Sequence, residues 1–252
     1  MTKTALITGA TGKLGASIAR HLGGLGWDLV LTSRDALRCD PLAAELRTAG
    51  ATVHCVALDL LNEQSTETLA ARIADTGVSV THIVSNARSL DTLKVGDQGV
   101  SHPQAFLDEF SIDVVAPYRM IMQFVHDPRH GLKGVVAIGS QYGEVGPNPA
   151  LYEGDLSSSP VQYGTAKAAL HHLTRELAVR LAPSVRVNCV AYGGFVGRTD
   201  EAFQERYARL APLGRMLEPG EAGGPVAFLL DDTAASAVTG HVLVADGGWS
   251  IW

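Results

Sequence analysis

Short apolar runs alternate along the chain with segments of helical periodicity. The runs, rich in Val, Ile, Leu and Ala, predict seven strands: Thr4–Thr8, Asp28–Thr32, Thr52–Ala57, His82–Ser85, Gly134–Ile138, Val185–Val190 and His241–Val244. Several runs are continuous, which is typical of strands that are buried on both faces of a sheet. Helices are predicted over Leu14–Leu25, Leu42–Ala49, Ser65–Asp75, Phe106–Val125 and Val161–Leu181. This alternation indicates an α/β fold, a doubly wound parallel sheet flanked by helices.

Composition narrows the class of protein further. The 252 residues show no linker or repeat, so we expect a single domain, 1–252, near the upper size of one hydrophobic core. A net charge of −6 argues against nucleic-acid partners and anionic membranes, and no apolar run is long enough to span a bilayer. The chain start does not read as a secretory signal. Cys39, Cys55 and Cys189 lack metal-ligand spacing, so we predict no metal site and a reducing, cytoplasmic location.

A glycine-rich turn, Thr8–Gly15, follows the first predicted strand and opens the first predicted helix. Glycine lets the backbone turn tightly and approach a pyrophosphate, whose charge is favoured at a helix N-terminus. The alternative is a strand-to-helix turn without a ligand. Because the turn lies in a strand–turn–helix context, the sequence favours a dinucleotide site of the Rossmann type.

The end of the second strand bears on the choice of cofactor. Arg34 stands where an acidic residue would accept a hydrogen bond from a ribose hydroxyl, and a guanidinium there suits a 2′-phosphate. Asp35 follows it, and we interpret that residue as the start of the next segment. The alternative for Arg34 is an exposed loop cation. The sequence therefore favours NADP over NAD.

Several motifs occur in the order that is found in the short-chain dehydrogenase/reductase family, and the chain resembles that family over nearly its whole length. They are Thr8–Gly15, Asp59-Leu60, Asn86-Ala87, Ser140, Tyr163-Gly164-Thr165-Ala166-Lys167 and Ala245-Asp246-Gly247-Gly248. The resemblance implies a set of cofactor-binding residues: Gly9, Thr11, Gly12, Lys13, Leu14, Gly15, Arg34, Asp59, Leu60, Asn86, Ala87, Tyr163 and Lys167.

Tyr163 and Lys167 carry the predicted chemistry. They lie four residues apart, so on a helix they share one face. A phenol is a poor acid or base at neutral pH, and a nearby ammonium favours its phenolate form. The resemblance assigns Tyr163 as proton donor and acceptor to the substrate oxygen, Lys167 as the group that supports it and holds the nicotinamide ribose, and Ser140 as a hydrogen-bond partner of the substrate oxygen.

Four positions depart from the family's pattern. Lys13 replaces a usual glycine, either as a phosphate contact or as a solvent-facing residue. Asp113 replaces the asparagine that serves the family as a fourth catalytic residue in a proton relay. Tyr192 replaces a proline beneath the nicotinamide, where packing is favoured over substrate contact. Arg88 replaces a glycine and adds a fixed positive charge.

The segment 141–162 is longer than the family's usual interval between the serine and the tyrosine. Its glycine, proline and serine content predicts a shaped loop beside the reacting centre. We expect Arg88, Tyr152, Glu153 and Tyr192 to bind substrate, and Arg88 to favour an anionic or densely hydroxylated one. Asn86-Ala87-Arg88 and Tyr152-Glu153-Gly154 also resemble a subgroup that is linked to bacterial nonulosonic-acid sugar pathways.

The predicted activity is NADP-dependent interconversion of a secondary alcohol and a ketone on a small, polar, amino-sugar-like substrate. The alternatives are a β-ketoacyl or polyketide ketoreductase, a nucleotide-sugar epimerase or dehydratase, and a non-catalytic NADP-sensing protein. The glycine spacing hints at the epimerases, whereas the joint presence of Ser140, Tyr163 and Lys167 argues against a sensor. The resemblance further implies a homotetramer or a homodimer.

Overall fold

A computed structural model describes residues 3–96, 99–197 and 199–252. Within these residues all seven predicted strands are confirmed, with ends that differ from the predictions by at most two residues. They are β1 (Thr4–Ile7), β2 (Asp28–Ser33), β3 (Val53–Ala57), β4 (His82–Ser85), β5 (Gly134–Ser140), β6 (Arg186–Tyr192) and β7 (Val242–Ala245).

The strands form one parallel sheet in the order β3-β2-β1-β4-β5-β6-β7. The chain builds outward from β1 through β2 to β3, then returns to the other side of β1 with β4. This reversal leaves a crevice beyond the carboxyl ends of β1 and β4, where open α/β sheets bind their ligands. The predicted doubly wound sheet is therefore confirmed.

Helices cover both faces of the sheet. In chain order they are α1 (Lys13–Gly24), α2 (Asp40–Thr48), α3 (Glu63–Glu67), α4 (Leu69–Ala74), α5 (Pro103–Phe110), α6 (Ala116–His126), α7 (Val161–Leu181), α8 (Glu201–Leu210) and α9 (Gly223–Leu230). One core cluster packs Leu22, Leu46 and Leu229 from α1, α2 and α9 against the sheet. A second cluster on the opposite face contains Ile73 from α4 and Phe124 from α6. None of the helices in the described ranges combines the length and apolarity needed to cross a membrane.

Two predicted helices are divided. The segment predicted over Phe106–Val125 consists of α5, a π-helical segment Ser111–Val115, and α6. The segment predicted over Ser65–Asp75 starts earlier and breaks at Thr68 between α3 and α4, and the Asn62 side chain caps α3 by accepting from the Ser65 N–H at 3.0 Å. Periodicity identified the helical stretches but could not reveal these local changes in winding.

The predicted glycine-rich turn is packed tightly against the end of β4. The Asn86 amide Nδ2 donates to the Thr8 carbonyl at 2.9 Å, and the Thr8 hydroxyl accepts from the backbone N–H groups of Asn86 and Ala87. A Cβ atom at Gly15 would lie 2.4 Å from the Gly9 carbonyl oxygen. The crevice between β1 and β4 is therefore closed at its base by backbone that leaves no room for a side chain.

We predict that Gly15→Ala lowers the free energy of unfolding by about 1–3 kcal/mol, the usual cost of overpacking. Gly12→Ala is the matched control, because its Cβ would lie 3.4 Å from the same oxygen and Gly12 has φ −76°. That control should cost under about 1 kcal/mol, the scale of an N-cap change. Urea unfolding of both variants measures the difference, and equal losses would show that the close approach does not constrain residue 15.

Candidate active site

A cavity of about 720 Å³ opens at the carboxyl ends of the strands. Most residues that the sequence predicted for the site line this one cavity: Gly9, Thr11, Gly12, Lys13, Leu14, Gly15, Arg34, Asp59, Leu60, Asn86, Ala87, Arg88, Ser140, Tyr152, Tyr163, Lys167 and Tyr192. Among the predicted residues, Asp113 and Glu153 do not line it. The residues predicted to bind the dinucleotide and those predicted to carry out the reaction thus line one continuous cavity.

One end of the cavity is cationic. Arg34 lies at its edge after β2, and Arg38 from the following short helical turn joins it. The Asp35 carboxylate accepts from the Leu37 N–H at 3.0 Å, so it caps that turn as the sequence indicated. Sequence reasoning missed Arg38, although its position four residues after Arg34 was a usable signal. The end of the cavity beside β2 therefore suits a phosphate.

Lys13 extends from the glycine-rich turn to the segment after β6. Its Nζ donates to the Val196 carbonyl at 3.0 Å. A Cβ atom at Gly197 would lie only 2.1 Å from that nitrogen. The sequence left Lys13 open between a phosphate contact and a solvent-facing residue, and in the structure its ammonium instead links two segments that border the cavity.

The reacting centre is built from β5 and α7. Ser140 ends β5, is 6% exposed, and its Oγ accepts from the Tyr142 N–H at 3.2 Å. Helix α7 has the predicted bounds and brings Tyr163 and Lys167 onto the face that lines the cavity. Lys167 Nζ lies 5.7 Å from the centre of the Tyr163 ring. Arg88 Cζ lies 5.1 Å from the same centre, so two cations lie near the phenol.

Lys167 is almost fully enclosed. Its Nζ donates to the Ile138 carbonyl and to Asp113 Oδ1, both at 3.0 Å. Burial by itself would lower the pKa of Lys167, but the charge of Asp113, followed by that of a Tyr163 phenolate, outweighs it and holds the pKa above its ordinary value. The lysine therefore stays an ammonium across the neutral range.

Asp113 was predicted to be a fourth catalytic residue, and the structure shows what it contacts. It is 2% exposed, lies in the π-helical segment outside the cavity, and reaches the site only through its ion pair with Lys167. An asparagine could not supply this negative charge. In the structure Asp113 is thus the ion-pair partner of Lys167 and does not line the cavity, and its place in a proton relay stays a prediction.

The substrate end is formed by the segment 141–162 and α8. As predicted, this segment is a loop, with short helical turns at Gln141–Gly143 and Leu156–Ser158. The hydroxyls of Tyr142 and Tyr152 are 2.7 Å apart, and the Tyr152 ring packs edge-on against Phe203. Sequence reasoning missed the contribution of α8 and the segment before α9, whose cavity-lining residues are Phe203, Tyr207 and Met216.

Two predicted substrate contacts need correction. Glu153 has a positive φ of 55°, which turns its side chain to solvent, where it faces Arg206 at 3.5 Å. Its prediction as a pocket residue is wrong. Tyr192 is 4% exposed, packs against Phe195, and donates its hydroxyl to the Ala222 carbonyl at 2.5 Å. Its ring borders the cavity, but its hydroxyl is hydrogen-bonded inside the core. This agrees with the interpretation of Tyr192 as a packing residue.

Comparison with known proteins covers nearly the whole chain. A family model described as enoyl-(acyl carrier protein) reductase matches residues 9–250. The chain is 31% identical over 259 residues to the uncharacterized oxidoreductase YmfI of Bacillus subtilis, covering 99% of each protein. It is 32% identical to the cis-4-hydroxycyclohexanecarboxylate dehydrogenase of Sinomonas cyclohexanicum, covering 98% of this chain and 96% of that one.

A solved structure shares the fold. The Pseudomonas aeruginosa RhlG/NADP active-site complex superimposes with a TM-score of 0.83 at 26% identity, covering 98% of this chain and 96% of that one. The narrower resemblance to nonulosonic-acid enzymes is not tested by these relatives and stays a prediction. Because the family model spans 9–250 and relatives above 30% identity align over almost all of the sequence, the chain belongs to the short-chain dehydrogenase/reductase family of oxidoreductases.

Proposed function

We propose that this chain is an NADP-dependent dehydrogenase/reductase that interconverts a secondary alcohol and a ketone on a small polar substrate with an anionic group. The observation that carries the proposal is the Tyr163 ring, which lies within 6 Å of both Lys167 and Arg88 in the cavity that Ser140 also lines. An amino-sugar-like acid fits this description, as do simpler hydroxy acids.

The cavity fits a nicotinamide dinucleotide. The turn that holds Gly9 and Gly15 would accept a pyrophosphate against backbone without side chains, at the N-terminus of α1. Arg34 and Arg38 support a 2′-phosphate, and the carboxylate of Asp35 is occupied by its own turn. A complex of RhlG with NADP in a fold of this kind supports the same choice. When bound, the cofactor supplies or accepts the hydride.

The chain's own residues handle the proton. In ketone reduction the Tyr163 hydroxyl gives its proton to the substrate oxygen, and in alcohol oxidation the phenolate takes it back. The charge of the Lys167 ammonium, which lies 5.7 Å from the centre of the Tyr163 ring, favours the phenolate. The Ser140 hydroxyl donates a hydrogen bond to the substrate oxygen and orients it toward Tyr163.

Substrate choice rests on Arg88 and Tyr152. A guanidinium beside the reacting phenol favours a carboxylate or phosphate on the substrate. The relative from Sinomonas is named for a substrate that carries both a hydroxyl and a carboxylate. We therefore favour hydroxy acids and their keto forms over neutral alcohols.

We also propose that the protein acts in the cytoplasm as a homodimer or a homotetramer. Large apolar side chains remain exposed on the outer helices, and they support a contact between copies: Leu107, Phe110, Tyr118, Val161 and Val179. The three free cysteines are compatible with a reducing compartment.

Tyr163→Phe should lower kcat by about 10²–10⁴-fold, the usual contribution of a positioned acid or base, with cofactor affinity nearly unchanged. The change removes the proton and keeps the ring. Steady-state kinetics and cofactor titration measure both quantities, and Tyr118→Phe on the exposed surface of α6 is the control. A Tyr163→Phe enzyme that keeps most of its turnover would refute the assignment.

Arg34→Asp should reverse or abolish a preference for NADPH over NADH. The ratio of kcat/KM for the two cofactors should change by about 2–4 kcal/mol, because each charge-assisted hydrogen bond contributes about 1.5–3 kcal/mol. Arg180→Asp on the exposed surface of α7 makes the same charge change elsewhere. A wild-type enzyme that prefers NADH contradicts the proposal directly.

Arg88→Met should remove discrimination between hydroxy acids and their neutral amides. We expect kcat/KM for the acids to fall roughly tenfold or more and that for the amides to change little, since one charge-assisted contact is lost. Arg88→Lys keeps the charge and is the matched control, and Tyr152→Ala should raise substrate KM without raising cofactor KM. Equal kcat/KM of the wild-type enzyme for the acids and the amides would contradict the proposal that the substrate is anionic.

A further inference from the structure

Two carboxyl groups lie buried behind Lys167, outside the cavity. Glu109 is the second-last residue of α5 and is 1% exposed. Asp113 lies four residues later, in the π-helical segment, and is 2% exposed. Asp113 is the ion-pair partner of Lys167, whereas Glu109 has no role in the proposed reaction. A glutamate this deeply enclosed needs either a charge partner or a proton.

The hydrogen bonds of the two groups leave one oxygen on each without a partner. Asp113 Oδ1 accepts from Lys167, and Glu109 Oε2 is in close contact with the Thr92 hydroxyl. Among the described residues, Asp113 Oδ2 and Glu109 Oε1 have no protein partner. Two ionised carboxylates in this setting would place two like charges and two unsatisfied acceptors in one dry pocket, which is costly.

The Thr92 hydroxyl indicates where a proton resides. This hydroxyl has one hydrogen, and it contacts both the Ser89 carbonyl at 3.1 Å and Glu109 Oε2. A carbonyl can only accept, so one hydrogen cannot be donated in full to both Ser89 and an ionised Glu109. Both contacts are complete hydrogen bonds at once only if the carboxyl group of Glu109 donates to Thr92. A protonated Glu109 satisfies both contacts.

The surrounding charges are consistent with that state. Burial raises the pKa of Glu109 and the charge of Asp113 adds to the rise, while the charges of Lys167 and Arg88 oppose it. The net direction is upward. With Glu109 protonated, the single negative charge of Asp113 faces the Lys167 ammonium.

We propose that Glu109 is a positioning residue of the acid–base site, a buried carboxylic acid whose proton keeps a second negative charge away from Lys167. The functional part of this inference rests on the proposed roles of Tyr163 and Lys167. When Glu109 loses its proton to solvent, the added charge behind Lys167 disfavours the Tyr163 phenolate. The protonation of Glu109 thereby tunes the charge that acts on Lys167 and Tyr163 during proton transfer.

Infrared spectroscopy of the resting protein tests the protonation state without any turnover. Wild type at neutral pH should show the carbonyl stretch of a protonated carboxylic acid that shifts in D₂O. Glu109→Gln should lose this band, because its amide still donates to Thr92 but cannot ionise. Glu205→Gln, a change on the exposed surface of α8, should keep it. Absence of the band in wild type, or its survival in Glu109→Gln, overturns the proposal.

The coupling to Asp113 has its own test, which also serves if Glu109→Gln does not fold. Asp113→Asn removes the like charge, so the midpoint at which the band disappears should move down by on the order of one pH unit. An unchanged midpoint would show that the charge of Asp113 does not act on Glu109 and would overturn the coupling. This measurement on the resting protein is independent of the reaction, so its failure is distinguishable from a failure of the proposed function.

Two further measurements distinguish an electrostatic effect of Glu109 from a packing effect of its side chain. The folded-state pKa of Glu109 is raised, so its stabilising contribution is complete below the ordinary glutamate range and is lost as pH rises through the raised pKa. The Tm of Glu109→Gln minus that of wild type should therefore increase with pH over that window.

Over the same window the ratio of their alcohol-oxidation kcat/KM should change by roughly threefold to tenfold, as expected for a coupled shift of up to about one pKa unit. A ratio that is constant with pH overturns the tuning role.

Discussion

The buried ammonium of Lys167 is the interaction on which the site depends. A charge in this position is stable only when it is paired and hydrogen-bonded, and it meets both requirements through Asp113 and the Ile138 carbonyl. One nitrogen thus ties α7 to the π-helical segment and to β5. Ser140 follows Ile138 by two residues on β5, and Tyr163 precedes Lys167 by one turn on α7. This buried contact therefore helps to hold Ser140, Tyr163 and Lys167 in their relative positions.

Much of the fold and most of the cavity lining could be predicted from the sequence, because the signals are local. The strands are short apolar runs, and the motifs follow directly after them. The reversal of strand order then gathers those motifs at one edge without any further information. Arg34, Asn86 and Tyr163 meet for this reason, although they are far apart along the chain.

What the sequence could not supply depends on contacts between distant segments. Tyr152 and Glu153 are neighbours in one loop, yet one lines the cavity and the other faces solvent, because the edge-on packing of Tyr152 against Phe203 of α8 and the positive φ of Glu153 set their directions. Helix α8 itself is largely polar and was not predicted. Glu109 belongs to no sequence motif, and its interest arises only because the fold buries it, as it buries Asp113.

The π-helical segment Ser111–Val115 has a consequence for how this region can change by mutation. An α-helix turns by about 100° per residue, and a π turn takes up one more residue than an α turn. The segment therefore sets the rotational phase between Glu109 on one side and the buried Met120 and Phe124 on the other. Loss of one residue here would convert the π turn into an α turn, which completes the same rotation with one residue fewer, so the buried faces of α5 and α6 could stay aligned. The same loss inside α5 or α6 would rotate all residues on one side of it by about 100° and turn buried side chains outward. The π-helical segment is therefore the place in this run where residue count can change without moving Glu109 away from Lys167.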